Sequence, residues 1–403
     1  MNQASSQKPF KVLYILEIFP EISETFILFE ILGVRRLGVH VHLVSLHRPK
    51  PGEQHAEAKF LLPLTIYLKD VPLHRQYVAL GWMLLRHPLR LFKFTKYLYG
   101  IEKHIRDTRN RLLEICYLCR YARQEQVDHI HAHFANPATS FAMWVHMLMG
   151  IPFTFASHGY DVYYVFPKDM KLKTELSRRH ITVSRQAAED IQKKIGDCNG
   201  KLVTLYSGVD TQFFAFHPAQ DRDNVLLHVA RLYPVKKQDD LIRACRLLKD
   251  RGLDFQCLLI GEGGERPNLE KLIQELGLTD TCRLLGARTH EELVPYYQQA
   301  KVFALTSVSE GMGNVLKEAL SCGLPAVGPR VGGIPEVLRD GETGYLFEAG
   351  RVEELADKIY SLWNDLPQRT RFAHNGRALI ENEFHHLRQT EKLVAILKGE
   401  NPR

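Results

Sequence analysis

Two doubly wound α/β domains are predicted from three observations. The chain has 403 residues, more than one hydrophobic core usually serves, so two domains of about 200 residues are the natural expectation. Short apolar runs of strand length alternate with helical patterns through both halves, the signature of parallel sheets with crossover helices. Between the halves, Phe213 to Asp223 turns polar and irregular, as a linker does. The predicted organisation is an N-terminal domain over 1–212 with a basic helical insertion near 73–126, and a C-terminal domain over 213–380. A terminal helix over 381–403 is expected to cross back.

The first half opens with an apolar run from Phe10 to Leu16. The turn-like Pro20 to Ser23, an amphipathic stretch from Thr25 to Leu37 and alternation from Val39 to Leu46 follow, making one βαβ unit. Further strands are predicted at Val127 to His133, Ile151 to Ala156, Ile181 to Val183 and Leu202 to Leu205. His74 to Gln126 reads as helical. It carries Arg75, Arg86, Arg90, Lys93, Lys96, Lys103, Arg106, Arg109 and Arg111, with Trp82, Leu84, Leu85, Leu91, Phe92, Phe94 and Tyr97 interleaved. Such a mixture suits a helix at an anionic membrane surface, and equally a helix with one face packed and the other solvated.

The second half repeats the alternation, with strands predicted at Val225 to Val229, Phe255 to Ile260, Cys282 to Leu285, Val302 to Leu305 and Pro325 to Val327. Helices are expected at Asp239 to Leu248, Leu269 to Leu276, Glu291 to Gln299, Val315 to Ser321, Val352 to Trp363 and Arg369 to Leu397. Ligands of such sheets bind beyond the carboxyl ends of the strands.

Composition bounds the partners. Hydrophobic residues are 45% and charged residues 25% of the chain, as in ordinary globular domains. The net charge of +7 favours an anionic partner: phosphate groups, a membrane surface or nucleic acid. Of seven cysteines only Cys116 and Cys119 are closely spaced, so neither a zinc site nor a disulfide framework is indicated, and a reducing cytoplasm is the simpler setting. The start MNQASSQKPF shows no signal-peptide pattern. His129 to Tyr160 lacks Asp, Glu, Lys and Arg, but Asn136, Pro137 and Gly150-Ile151-Pro152 interrupt it, so it reads as buried strand, helix and strand.

The most informative stretch runs from Thr306 to Gly344. Glu310 and Glu318 flank a glycine-containing loop entering a helix expected to start near Asn314. Backbone N–H groups of Gly311, Met312, Gly313, Asn314, Val315 and Leu316 would then face a diphosphate at the positive helix end. Glu318, one turn in, leans back toward the same mouth, where an acceptor-only carboxylate suits sugar or ribose hydroxyls. A lone helical Glu is usually a solvated surface residue; the strand before this loop and Gly332-Gly333 after it argue otherwise.

Arg231 and Lys236 leave the end of the strand Val225 to Val229, where two cations can neutralise a departing diphosphate. In the first half, His158 and Asp161 follow the strand Ile151 to Ala156. His158 could donate to sugar hydroxyls or phosphate and change charge near neutral pH. Ser23 and Thr25 offer hydroxyls at another strand end and are candidates for the acceptor side, with His133 and Asp161. His129, His131 and His133 alternate on one strand face, which invites a metal reading, but matching carboxylate ligands are not evident, so no metal is expected.

These segments resemble the retaining glycosyltransferases of family 4, which have the GT-B fold of two facing Rossmann-like domains with an interdomain cleft. The residues that carry the resemblance are Arg231 with Lys236, GEGGERPNLE from Gly261, and Glu310 to Glu318 followed by ALSCGLPAVG and GGIPEVL. FPEISETFILFEI, HIHAHFANPAT and FTFASHGYDV are similar to the branch that includes colanic acid and other exopolysaccharide transferases. The resemblance implies metal-independent transfer with retention from a UDP- or GDP-linked sugar, needing no further cofactor, to a glycan or lipid-linked acceptor. It implies that Arg231 and Lys236 bind the diphosphate, Glu310 the donor sugar, Glu318 the ribose and His158 the sugar near the reacting carbon. Two features depart from it: Gly313 stands where proline is common, and EIFPEIS replaces a glycine-rich first loop. The expected setting is cytoplasmic, peripheral at the inner membrane face, without nucleic acid. A nucleotide-sugar epimerase, a phosphorylase of the same fold or a non-catalytic membrane-docking nucleotide binder are the competing readings.

Overall fold

A computed structural model describes residues 8–21, 24–50, 56–101, 105–219 and 222–401. The chain divides into two compact units, the first comprising residues up to Thr182, Ala188–Leu205 and Thr390 onward, the second Val183–Ala187 and Tyr206–Gln389. Each is built on one parallel sheet with buried strands, as parallel sheets covered on both faces require.

In the first unit the strands are β1 (Lys11–Ile18), β2 (His40–His47), β3 (Thr65–Tyr67), β4 (His129–His133), β5 (Phe153–Ser157), β6 (Arg179–Thr182) and β7 (Leu202–Thr204). Their order in the sheet is β3-β2-β1-β4-β5-β6-β7, so the winding reverses between β1 and β4. Helix α1 (Thr25–Arg36) links β1 to β2. Helices α2 (Leu73–Arg86), α3 (Pro88–Ile101) and α4 (Ile105–Gln124) form the long crossover from β3 to β4. The basic region is therefore not purely an insertion: α4 buries Ile115, Cys116, Leu118, Cys119 and Ala122 against the core. Within α3, Leu91 and Phe94 are buried, whereas Leu84, Leu85 and Phe92 of the same predicted apolar set are exposed. Lys103 lies outside the described residues.

The charge-free stretch forms β4, α5 (Pro137–Met149) and β5. Asn136 caps α5 by accepting the Ala138 N–H (3.1 Å), and Pro137 supplies a first-turn residue that needs no partner for its nitrogen. No helix among the described residues is long and apolar enough to cross a membrane. Short helices α6 (Gly159–Tyr163) and α7 (Met170–Leu176) follow β5, and α8 (Arg185–Ile195) follows β6.

The second sheet has strands β8 (Val225–Val229), β9 (Gln256–Ile260), β10 (Cys282–Leu284), β11 (Val302–Ala304), β12 (Ala326–Pro329) and β13 (Gly344–Phe347), in the order β10-β9-β8-β11-β12-β13. Its reversal falls between β8 and β11. The helices are α9 (Gln238–Asp250), α10 (Arg266–Glu275), α11 (His290–Gln299), α12 (Asn314–Ser321), α13 (Ile334–Val337), α14 (Val352–Asn364) and α15 (Leu366–Glu383). Helix α9 shows why such segments become helices. Leu241, Ile242, Cys245 and Leu248 recur on one buried stripe, and Asp239 and Asp240 sit in the first turn where the helix dipole favours negative charge. On α14, Leu355, Ala356, Ile359, Leu362 and Trp363 do the same, each large side chain contributing roughly 1.5–3 kcal/mol on burial.

The predicted run Arg369 to Leu397 is two helices, broken at Phe384-His385, where the Val209 N–H donates to the Phe384 carbonyl (2.8 Å). The second of them, α16 (His386–Lys398), places Leu393, Val394, Ile396 and Leu397 among Val12, Tyr14, Leu16 and Ile31 in the core of the first unit.

Candidate functional site

The second unit brings two of the predicted segments together at its switch point. The Arg231–Lys236 segment leaves the end of β8, and the Glu310 loop leaves the end of the neighbouring β11. Lys236 Nζ lies 2.6 Å from Glu310 Oε1, with the two side chains only 19% and 12% exposed. Ser307 Oγ donates to the same carboxylate oxygen (2.7 Å), and Thr306 Oγ1 donates to the Lys236 carbonyl (2.8 Å). A sheltered cation is thus held at a fixed place beside a carboxylate, with β11 and β8 setting its position. Arg231 is exposed, its guanidinium 5.4 Å from the centre of the Tyr233 ring.

Backbone contacts that only glycine permits hold these loops. A Cβ on Gly261 would lie 1.9 Å from the Ala230 carbonyl oxygen, and one on Gly332 would lie 1.9 Å from the Glu310 carbonyl oxygen; both residues have positive φ. Side chains at these points would push the loops apart. The Gly333 N–H donates to the Glu310 carbonyl (3.3 Å).

Helix α12 starts at Asn314, with Gly313 as its N-cap at φ 68°. The predicted set of outward amides is narrower than the sequence indicated. The Leu316 N–H donates to the Gly313 carbonyl (3.0 Å) and the Leu316 side chain is fully buried, because the turn tightens at the helix start. Met312 is also buried, by its side chain, whereas Gly311, Gly313 and Val315 are half-buried and Asn314 is exposed. Asn314 Oδ1 accepts from Ser207 Oγ (2.7 Å). Lys317, fully buried with its ammonium pushed down to about 7 by burial, reaches Ser207 Oγ (2.6 Å) and so ties this helix to the chain entering the unit.

Glu318 is buried, and its carboxylate is already partnered: Tyr297 donates to Oε2 (2.9 Å), and His290 Nε2 lies 3.5 Å from Oε1. Tyr297 and His290 come from α11 and went unrecognised in the sequence; nothing within 20 residues of Glu318 announces them.

In the first unit the ends of β1, β4 and β5 carry a second polar group. Glu30 of α1, also unrecognised in the sequence, accepts from Tyr14 (3.0 Å) and lies 3.0 Å from His133 Nε2 and 3.6 Å from His131 Nε2. Burial opposes its charge, but the His133 contact and the Tyr14 hydroxyl outweigh this and hold the carboxyl below its ordinary value. His133 Nδ1 lies 3.1 Å from His158 Nε2, and the two rings stack at 5.4 Å. Phe26 and Phe134 flank His158 at 4.7 and 4.6 Å. Asp161 accepts the His158 backbone N–H (3.0 Å) at the start of α6.

This arrangement corrects one expectation. Burial, with the nearby His133 second, pushes His158 well below its ordinary value, so it does not change charge near neutral pH, and its Nε2 faces His133 Nδ1. Asp161, raised to about 6 chiefly by burial, serves the α6 cap. Thr25 opens α1 beside Phe26; Ser23 lies outside the described residues.

The alternating histidines do not act as one set. His129 and His131 share the Thr154 hydroxyl (3.0 and 2.8 Å), while His133 points to Glu30 and His158. Glu30, His131 and His133 are close enough together to hold an ion, and so are Cys245, Cys257 and Cys282, buried on three elements of the second unit. For the first group, hydrogen bonds from Tyr14 and His133 already occupy the facing Glu30 oxygen.

Known proteins agree with this construction. A family model for glycosyl transferases group 1 matches residues 209–379, and one for glycosyltransferase family 4 matches 23–213. The chain belongs to this glycosyltransferase family. It is 28% identical to the putative colanic acid biosynthesis glycosyltransferase WcaL of Escherichia coli, over 96% of this chain and all of that one. It is 27% identical to the N-acetyl-alpha-D-glucosaminyl L-malate synthase of Bacillus anthracis, over 69% of this chain and 75% of that one. The fold is similar to that of Anabaena HepE, solved in complex with UDP and glucose, with a TM-score of 0.71 at 18% identity over 96% and 99% of the two chains. Both units are those of the GT-B glycosyltransferases.

Buried histidines give this protein a defined acid sensitivity. Burial holds His131 and His180 at about 3 and His228 at about 4, below the ordinary imidazole value near 6.5. They are neutral when folded and protonated when unfolded, so their contribution is complete above about pH 6.5 and is lost as pH falls toward the folded values. Asp161 runs the other way between about pH 4 and 6 and is outnumbered. The Tm is expected to be lower at pH 5 than at pH 7.5; an equal or higher Tm at pH 5 would contradict the assignment.

Proposed function

We propose that this glycosyltransferase moves a sugar from a nucleoside diphosphate donor to a glycan or lipid-linked acceptor, with retention and without a metal or other cofactor. The observation that carries the proposal is the meeting of Lys236 with the Glu310 loop at the entrance to α12. Departure of the nucleoside diphosphate places growing negative charge on the pyrophosphate. A fixed ammonium and the first amides of α12 lower the cost of that charge, because neither must reorganise when it forms. In this reading Lys236 exchanges part of its contact with Glu310 for phosphate oxygens, Arg231 swings in from its exposed position, and Glu310 turns to the donor sugar. Gly311, Gly313, Asn314 and Val315 supply the diphosphate surface.

Glu318 takes the ribose through Oε1, its other oxygen being fixed by Tyr297. The HepE complex was solved with UDP and glucose, which favours a UDP-linked sugar here, with GDP as the other candidate. WcaL, similar over its whole length, is named for colanic acid biosynthesis; this supports a place in cell-surface or exopolysaccharide assembly at the cytoplasmic side. Thr25 and His133 belong on the acceptor side in this reading.

Lys236→Ala and Glu310→Ala are each expected to lower donor turnover at least 100-fold, the scale of losing one charge-stabilising group, with circular dichroism unchanged. Nucleoside diphosphate release dependent on added acceptor is the measurement. Undiminished release in both folded variants would overturn the site.

The turn between α2 and α3 supports a membrane-facing role for the first unit. Leu84, Leu85, Leu89 and Phe92 are 54–84% exposed there, and Arg86, Arg90, Lys93 and Lys96 are exposed beside them. Apolar side chains to enter the lipid boundary and cations to meet anionic headgroups are what a peripheral surface needs. Flotation with phosphatidylglycerol vesicles should carry the protein, and Leu85→Asp with Phe92→Asp should release it. Equal behaviour with neutral phosphatidylcholine vesicles, or no effect of the substitutions, would count against the surface.

A further inference from the structure

We propose that Cys245, Cys257 and Cys282 form a buried three-sulfur site for a soft monovalent ion of the copper(I) class, which ties α9 to the edge of the second sheet, apart from the transfer chemistry.

The three residues are distant in sequence and meet only through the fold. Cys257 and Cys282 are directly opposed in the parallel pairing of β9 with β10, so their side chains share one face of the sheet. Cys245 comes down on that face from α9, on the same buried stripe as Leu241, Ile242 and Leu248. The three sulfurs lie within 4.8 Å of one another. Metal–thiolate bonds of about 2.3 Å set the sulfurs of a three-coordinate ion roughly 4 Å apart, so the group closes on an ion by contracting less than about 1 Å. A cysteine in a core is commonly no more than a small apolar residue. What separates this group is convergence: three elements place their sulfurs at one spot, each residue at most 4% exposed.

The donor set selects the ion. Sulfur ligands alone, without nitrogen or oxygen, favour a soft ion. Structural zinc and iron–sulfur clusters take four protein ligands, and among the described residues no His, Asp or Glu joins the three within ligand distance. Copper(I), a filled-shell ion with little geometric preference, is satisfied by two or three sulfurs. The surroundings select it again. Leu241, Leu248, Leu259, Ile273 and Leu278 belong to the same core, and a dry apolar shell excludes water as a fourth ligand and penalises net charge. Each thiol that binds as thiolate gives its proton to solvent. One thiolate balances the monovalent ion. Lys249, one turn beyond Cys245 on α9 and donating to the Gly277 carbonyl (3.3 Å), brings a cation near Cys282 that can offset a second thiolate.

The position of the sulfurs fixes the role. Cys282 opens β10 and Cys257 is the second residue of β9, so the group sits toward the N-terminal ends of the strands. The Lys236 and Glu310 segments leave the opposite ends of β8 and β11. The ion is therefore structural: it clips α9, which starts directly after Lys237, to two strands and takes no part in sugar transfer.

The test adds copper(I), as its acetonitrile complex and without oxygen, to the whole reduced and metal-free protein. Chelator competition, copper counting, X-ray absorption and thermal unfolding follow, with a parallel zinc(II) arm. The wild type is expected to keep one copper per chain with two or three sulfur neighbours and no nitrogen or oxygen. Its Tm should rise by about 3 °C or more, since the ion binds only the folded state. Cys245→Ala, Cys257→Ala and Cys282→Ala should each weaken copper binding by more than the roughly 10–100-fold that loss of an outer-shell partner costs. Cys119→Ala should keep it, which separates this site from the close pair Cys116 and Cys119 on α4. Donor turnover should be unchanged in Cys282→Ala.

Failure of the wild type to hold copper against the chelator, copper bound through nitrogen or oxygen, or preferential retention of zinc would each overturn the proposal. So would loss of copper in Cys119→Ala with retention in Cys245→Ala. The wild-type copper count and absorption spectrum decide even where a variant folds poorly. A folded Cys282→Ala protein that loses turnover would overturn the purely structural role.

Discussion

The contact on which the candidate site depends is the approach of two loops at the reversal of the second sheet. Parallel sheets gather their loops at the carboxyl ends of the strands, and where the winding reverses the two central loops diverge and leave a crevice. Here β8 and β11 are those strands, and what spans the crevice is the Lys236–Glu310 pair. Its geometry is fixed from beneath by Thr306 and Ser307, and from the side by the close passage of Gly332 under the Glu310 carbonyl. The glycine pair at 332–333, quoted for family resemblance, thus has a mechanical reason: a side chain there would displace the carboxylate.

The first unit reaches a similar end differently. Its switch point lies between β1 and β4, and the side chains near it include the Glu30 carboxylate, His133, His158 and the rings of Phe26 and Phe134. A half-buried carboxylate of this kind is costly unless it accepts hydrogen bonds, and Glu30 accepts from Tyr14 and lies 3.0 Å from His133 Nε2.

Much of this could be read in the sequence, and the failures have physical causes. Eleven of the thirteen strands among the described residues were legible because their apolar runs are bounded by polar or glycine-containing turns. The two that were not lacked such boundaries: β3 lies inside the apolar run FLLPLTIYL with no turn before it, and β13 opens directly out of DGETG with Gly344 as its first residue. Lys236, Glu310 and Glu318 were visible because they lie in motifs adjacent to strand ends. Glu30 was not, since a Glu in the middle of an amphipathic helix reads as solvated and only the fold turns it toward β4. Tyr297, His290 and the three gathered cysteines were hidden for the same reason: sequence distance says nothing of which helix a sheet will bring alongside. The expected charge change of His158 failed because burial, which only the tertiary fold decides, holds it well below its ordinary value.

In the proposed function a pyrophosphate sits between the Lys236 segment and the mouth of α12. Hydrogen–deuterium exchange of the whole protein with and without UDP or GDP addresses this directly. Slowed exchange concentrated in residues 230–237 and 306–316 is the predicted result. Exchange left unchanged in both segments by either nucleotide, or slowed only elsewhere in the chain, would contradict it.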